Sequence, residues 1–225
     1  MTRIGRTRIG ILGGSFNPAH RGHRSISLAA LAALDLDEVW WLVSPGNPLK
    51  DQASDMAPFA VRYASAVKMA RHAPIRVSKI EQRLGTRYTV DTVHKLTALY
   101  PKKQFIWLMG GDNLAQFHQW RAWREIARQV PIAVIARPGY DRHAHAAPAM
   151  GWLRRFVHPA YQAASWTRWR LPALVLLRFR PDETSATRLR TADPAWQRQF
   201  LPSYSVAPIV VDETPPGGAI SAPSF

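Results

Sequence analysis

The sequence predicts an α/β fold in which a doubly wound, mostly parallel sheet carries a small helical part at its C-terminal end. Three observations lead there. Apolar runs of strand length recur along the chain, and the segments between them repeat with helical rather than strand periodicity. At 225 residues the chain suits one compact domain with a sizeable core.

The elements are expected in the following order. A first strand near Arg8–Leu12 ends in the glycine-rich stretch GGSFNPAHRGH, and the helix GHRSISLAALAAL follows, with Ile26, Ala30, Ala33 and Leu34 on one stripe. The second strand is Glu38–Val43. In the next helix, PFAVRYASAVKMA, residues Phe59, Tyr63, Ala66, Val67 and Ala70 share a face, with Arg62 and Lys68 off it. Both stripes read as core. Further strands are expected near Ile75–Lys79, Gln104–Met109, Ile132–Ala136 and Ala173–Arg178. The segment Tyr140–Leu171, rich in Trp, His and Arg, has weak periodicity and reads as a helical excursion before the last strand. Residues 1–208 form the domain, and the Pro-, Gly- and Ser-rich tail 209–225 reads as a flexible end.

Composition narrows the function classes. Thirty Lys plus Arg against fifteen Asp plus Glu give a formal charge of +15, which attracts polyanions of any kind. The basic residues are scattered from Arg3 to Arg198 without a block, which describes a basic but well-mixed surface. Without a dense basic stripe or an interleaved aromatic-basic repeat, the pattern argues against a nucleic-acid-binding module. No apolar run approaches the roughly 18 residues that cross a bilayer, and the N-terminal apolar stretch is too short for a signal peptide. The expected location is therefore cytoplasmic, with no membrane partner. The absence of cysteine excludes disulfides and thiolate metal sites.

The stretch after the first strand carries the chemistry. A parallel sheet places ligands at the carboxyl ends of its strands, and a helix starting near Gly22 points its free N–H groups and dipole at that spot. Gly13 and Gly14 would let the backbone approach an anion, most naturally a phosphate. The stretch is neither a P-loop nor a G-x-G-x-x-G fingerprint. Its distinctive feature is the pair His20 and His23, one on the loop and one in the first helical turn, able to converge on one phosphate. Two histidines without a third ligand do not complete a zinc sphere, so no protein metal site is expected. A structural histidine pair would explain neither the glycines nor the position.

These residues resemble the G-x-F-x-P-x-H-x-G-H signature of the nucleotidylyltransferase superfamily, and Phe16, Asn17, Pro18, His20, Gly22 and His23 resemble the bacterial nicotinate-nucleotide adenylyltransferases in particular. Three later stretches follow in that family's order. In RLGTRYTVDT, Tyr88 and Thr89 are similar to an S-Y-T segment whose threonine contacts the nicotinate carboxylate; Arg87 replaces the serine, and helix capping is the other reading of Thr89. In WLMGGDNLAQFHQWRAW, Asp112 matches a G-x-D segment, with N-capping its other reading, and Phe117 and Trp120 match F-x-x-W, whose tryptophan stacks on the pyridine ring. Trp123 stands outside the motif. In DETSATRLR, residues Ser185, Thr187 and Arg190 resemble the I-S-[SA]-T-x-[IL]-R that grips the triphosphate, with Thr184 in place of the usual Ile. Arg137 matches R-P-G-Y, its other reading being a surface arginine before a turn. The loop SPGNPLK lacks the family's histidine, leaving Lys50 for the basic position.

The resemblance implies a Rossmann-like fold and transfer of the adenylyl group of ATP to nicotinic acid mononucleotide, giving deamido-NAD and pyrophosphate in NAD biosynthesis. It implies His20 and His23 as catalytic donors. ATP would be bound by Gly13, Gly14, Ser15, Phe16, Ser185, Thr187 and Arg190, and the mononucleotide by Lys50, Thr89, Asp112, Trp120 and Arg137. Mg²⁺ would arrive on the ATP phosphates. The alternatives are another nucleotidylyltransferase, acting on nicotinamide mononucleotide or phosphopantetheine, and, from a different class, a nucleic-acid-binding module. Oligomeric state is left open.

Overall fold

The computed structural model describes residues 6–46, 56–136, 146–179 and 185–200. Lys50, Arg137 and the tail 209–225 lie outside the described residues. Seven strands form one sheet: β1 (Thr7–Gly14), β2 (Glu38–Val43), β3 (Ile75–Ser78), β4 (Lys103–Gly110), β5 (Ile132–Ala136), β6 (Val157–His158) and β7 (Leu174–Arg178). Their spatial order is β3-β2-β1-β4-β5-β7-β6 and every neighbouring pair is parallel. The expected α/β, Rossmann-like class is therefore the observed one.

Helices α1 (Arg21–Ala33) and α2 (Phe59–Ala70) cover one face of the sheet. The opposite face is covered by α3 (Ile80–Leu84), α4 (Thr89–Leu99), α5 (Gly111–Gln116), α6 (Trp123–Gln129) and α7 (Met150–Leu153). The seven-residue α8 (Ala186–Ala192) follows β7. Alternation along the strands sends Ile9, Ile11, Trp107 and Met109 into the layer with Leu96, Phe117 and Ile126. Leu12, Trp41, Ile106 and Leu108 face the layer with Ala30, Leu34, Ala66 and Trp166. Both sheet faces are covered by packed side chains, which explains why the strands read as continuous apolar runs.

The order reverses between β1 and β4, and their carboxyl ends, Gly14 and Gly110, lie at this crevice. Such a switch point is where open parallel sheets take their ligands.

Several expectations are corrected. In α2, Arg62 is 1% exposed and Val67 is 39% exposed, the reverse of the reading from polarity. Arg62 is inside because backbone carbonyls surround its guanidinium. In α1, Ser27 is buried and Ala33 is exposed. Ser27 tolerates burial because its hydroxyl accepts from Trp41 Nε1 at 2.7 Å and donates to the His23 carbonyl at 2.9 Å. The excursion before the last strand is not wholly helical. It holds α7, 3-10 turns at Arg154–Phe156 and Ala160–Arg168, and the edge strand β6, whose two residues are too few to show a period. Trp166 ties it to the fold, donating from Nε1 to the Leu34 carbonyl at 2.9 Å.

One buried carboxyl gives the fold a pH dependence. Glu81 in α3 is 8% exposed and its Oε1 accepts from the Thr92 hydroxyl at 3.1 Å. Burial raises its carboxyl from the ordinary 4.5 to about 7, with the Thr92 hydrogen bond pulling the other way. Between those values the native state binds more protons than the unfolded chain, so stability falls as pH rises through that window. The loss amounts to about 3 kcal/mol. Urea midpoints at about pH 5 and about pH 8 should show it, and Glu81→Gln should flatten the slope. An unchanged slope in the variant would assign the dependence elsewhere.

Candidate active site

The site is built from the turn between β1 and α1. The helix begins at Arg21, one residue earlier than the sequence suggests, with the extended His20 as its N-cap. His20 and His23 are three residues apart across this start, and their ring centroids lie 3.8 Å from each other. His23 Nδ1 accepts from the His20 backbone N–H at 3.2 Å. A neutral His23 ring then carries its proton on Nε2. His20 is buried at 7% exposure and His23 is half-buried.

Aromatic packing fixes the His23 ring from behind. The Phe16 ring lies tilted against it at 4.8 Å and stacks on Trp41 at 5.0 Å, and Trp41 also meets His23 edge-on at 6.0 Å. Phe16 holds φ at 49°, a left-handed backbone uncommon outside glycine and most costly for bulky residues. The following Asn17–Pro18 bond is cis.

Distant segments converge on the same turn. Arg190 of α8 donates from Nη1 to the Asn17 carbonyl at 2.7 Å, so the last motif meets the first. The Asn17 side chain accepts from Ala57 N at 3.1 Å. Ser185 is the N-cap of α8, its hydroxyl accepting from Arg188 N at 3.2 Å, and Thr187 is exposed one turn before Arg190.

Neither Gly13 nor Gly14 uses left-handed backbone; both are extended residues of β1, paired with Leu42 and Val43. A Cβ on Gly13 would lie 2.8 Å from Trp107 Cη2, so this glycine makes room for the indole. A Cβ on Gly14 would stand 3.4 Å from the Phe16 ring, an ordinary contact.

Trp107 in turn meets Trp120 edge-on at 6.2 Å, linking the end of β1 to the F-x-x-W segment. Trp120 is half-buried and also packs on Phe117 at 5.3 Å. Asp112 is exposed at the second position of α5, with Gly110 as N-cap, so capping does not account for it. Thr89 is the first residue of α4 and the N-cap is Tyr88, so the capping reading fails for Thr89 as well. Arg121 lies 4.7 Å over the Tyr88 ring and 3.9 Å from Asp91, which brings the start of α4 beside Trp120.

The structure thus gathers His20, His23, Ser15, Phe16 and Arg190 around one turn. Thr89 and Trp120 gather on the β4 side of the switch point, reached through Trp107. Sequence reasoning missed Arg62, Ser65, Ser27 and Trp41, which hold this turn without facing a ligand. Among the described residues no group of three or more His, Asp or Glu could hold a metal ion, and no helix is long and apolar enough to cross a membrane.

The cytidylyltransferase-like family model matches residues 11–192. A protein of Erythrobacter litoralis named "Probable nicotinate-nucleotide adenylyltransferase" is 62% identical over 193 residues, covering 86% of this chain and 88% of that one. This chain belongs to the nicotinate-nucleotide adenylyltransferase family. A relative of the same name from Parvibaculum lavamentivorans is 52% identical, with 81% of this chain and 90% of its own covered. The nicotinic acid mononucleotide adenylyltransferase of Plasmodium falciparum, complexed with NaAD, shares the fold at a TM-score of 0.60 and 17% identity, covering 82% of this chain and 83% of its own. The cytidylyltransferase-like match runs to Ala192, the last residue of α8, so it includes both the His20–His23 turn and Arg190.

Proposed function

We propose that this protein transfers the adenylyl group of ATP to nicotinic acid mononucleotide, forming deamido-NAD and pyrophosphate in NAD biosynthesis. The observation that carries the reading is the paired His20 and His23 rings at the switch point, joined to Arg190 through the Asn17 carbonyl. The acceptor is read from the family and from Trp120 at the neighbouring strand end.

The 5′-phosphate of the mononucleotide attacks the α-phosphorus of ATP. A new P–O bond forms there as the bond to the bridging oxygen of the β-phosphate breaks, and pyrophosphate leaves with that electron pair. The nucleophile is already an anion at neutral pH, so no strong general base is required. Catalysis then consists of alignment and charge stabilisation. His23 Nε2–H and the His20 ring donate to the α-phosphate oxygens as charge builds. Gly13, Gly14, Ser15 and Phe16 form the wall beside the nucleotide, and Ser185, Thr187 and Arg190 receive the departing phosphates. Mg²⁺ carried by the ATP phosphates, which Ser185, Thr187 and Arg190 would hold, would supply charge neutralisation for the leaving group.

On the acceptor side, Trp120 offers its face to the pyridine ring, while Thr89 and Asp112 bind the rest of the mononucleotide together with Lys50 and Arg137. Incubation with MgATP and nicotinic acid mononucleotide, followed by chromatography, should yield deamido-NAD and pyrophosphate in equal amounts. No dinucleotide would overturn the proposal.

A further inference from the structure

We propose that Arg62 is a positioning residue for adenylyl transfer, holding the Ser15–Ala19 turn, and through it the His23 ring, in the geometry that meets the α-phosphate. This rests on the function proposed above. Nothing in the reaction calls on Arg62 directly, because it is 1% exposed.

Its guanidinium is instead a hub for backbone carbonyls. Nη1 donates to Ser15 O at 2.7 Å and to Ser44 O at 2.8 Å. Nη2 donates to Pro45 O at 3.2 Å and Nε to Ala57 O at 2.9 Å. These carbonyls come from three segments: the turn after β1, the turn after β2 and the entry to α2. A planar fork with fixed donor directions suits such convergence, whereas an ammonium does not reproduce it.

One helical turn on, the Ser65 hydroxyl accepts from Ala19 N at 3.2 Å and donates to the Arg62 carbonyl at 2.8 Å. Residues 62 and 65 of α2 therefore hold both ends of the turn. Inside it, Phe16 keeps φ at 49°, and residues hold such sparsely populated conformations only where their surroundings impose them. The Ser15 carbonyl held by Arg62 belongs to the peptide just before Phe16. The Phe16 ring then packs, tilted, against His23 at 4.8 Å. The path runs from Arg62 to the Ser15 peptide, to Phe16, to the catalytic ring.

A purely structural arginine would affect how much protein folds and not the chemistry of the folded fraction. The experiment compares Arg62→Met, Arg62→Lys and Ser65→Ala with the wild type in two readouts. The first is kcat and KM for each substrate, per folded enzyme. The second is the imidazole NMR signals of His23, assigned by their loss in His23→Gln and recorded without substrate. For Arg62→Met, kcat should fall by roughly 10- to 100-fold with both KM values held, as for a misplaced catalytic group. Arg62→Lys should recover part of the loss, Ser65→Ala should show a smaller loss of the same kind, and the His23 signals should move in all three. If Arg62→Met does not fold, the other two variants decide. Wild-type kcat and unmoved His23 signals in Arg62→Lys and Ser65→Ala, alongside a lower melting temperature, would overturn the proposal. If the wild type itself forms no dinucleotide, the functional reading fails, and the His23 signals still decide whether Arg62 sets the ring.

Discussion

Replacing either His20 or His23 with alanine should lower kcat by roughly 10² or more while leaving KM for both substrates nearly unchanged. The size is that of deleting one donor aimed at charge present only in the transition state. The rings stand 3.8 Å apart at the N-terminus of α1, and the Nδ1 contact from the His20 N–H puts the proton of a neutral His23 ring on Nε2. Both residues belong to the first turn, so a fold control is needed. The helix is anchored by buried Ser27, Ala30 and Leu34, and melting curves should stay within a few degrees of the wild type. Steady-state pyrophosphate release checks the prediction, and near-native turnover in either variant would remove that histidine from the chemistry.

Trp41→Ala should destabilise the protein by about 3–5 kcal/mol, the cost of truncating a fully buried tryptophan. Trp41 is 0% exposed, stacks on Phe16 at 5.0 Å and donates to the Ser27 hydroxyl at 2.7 Å. The cavity would open directly behind His23, so turnover should fall with stability. Trp41→Phe keeps an aromatic ring, smaller than the indole, and loses the donor, for a smaller loss of about 1–2 kcal/mol. Urea unfolding of both variants measures the difference. A loss below about 1 kcal/mol for Trp41→Ala would mean that the packing behind the histidines relaxes freely.

These residues also show where the sequence is legible. His20 and His23 stand out because Gly, Pro and His recur at fixed local spacing beside a strand end. The strands Glu38–Val43 and Ile132–Ala136 are read to the residue because both sheet faces bury them and the apolar run has sharp ends. Trp41 and Arg62 are different. A tryptophan within an apolar run looks like any core residue, and nothing local says that its Nε1–H meets Ser27. Arg62 is assigned to solvent by polarity, since its acceptors are carbonyls, which every residue carries and no motif marks. The contact between Arg190 and Asn17 spans 173 positions, so the two motifs are each visible while their meeting is not. The β6 edge strand is held by pairing with Leu174 and Val175, not by any preference of its own two residues. Gly13 is a subtler case: no local signal in the sequence says that a Cβ there would meet Trp107.

The most direct measurement is initial-rate pyrophosphate release from MgATP with nicotinic acid mononucleotide, run beside its nicotinamide counterpart under identical conditions. The account predicts rapid release with the acid and a much lower kcat/KM with the amide. Release with neither, or preference for the amide, would contradict it.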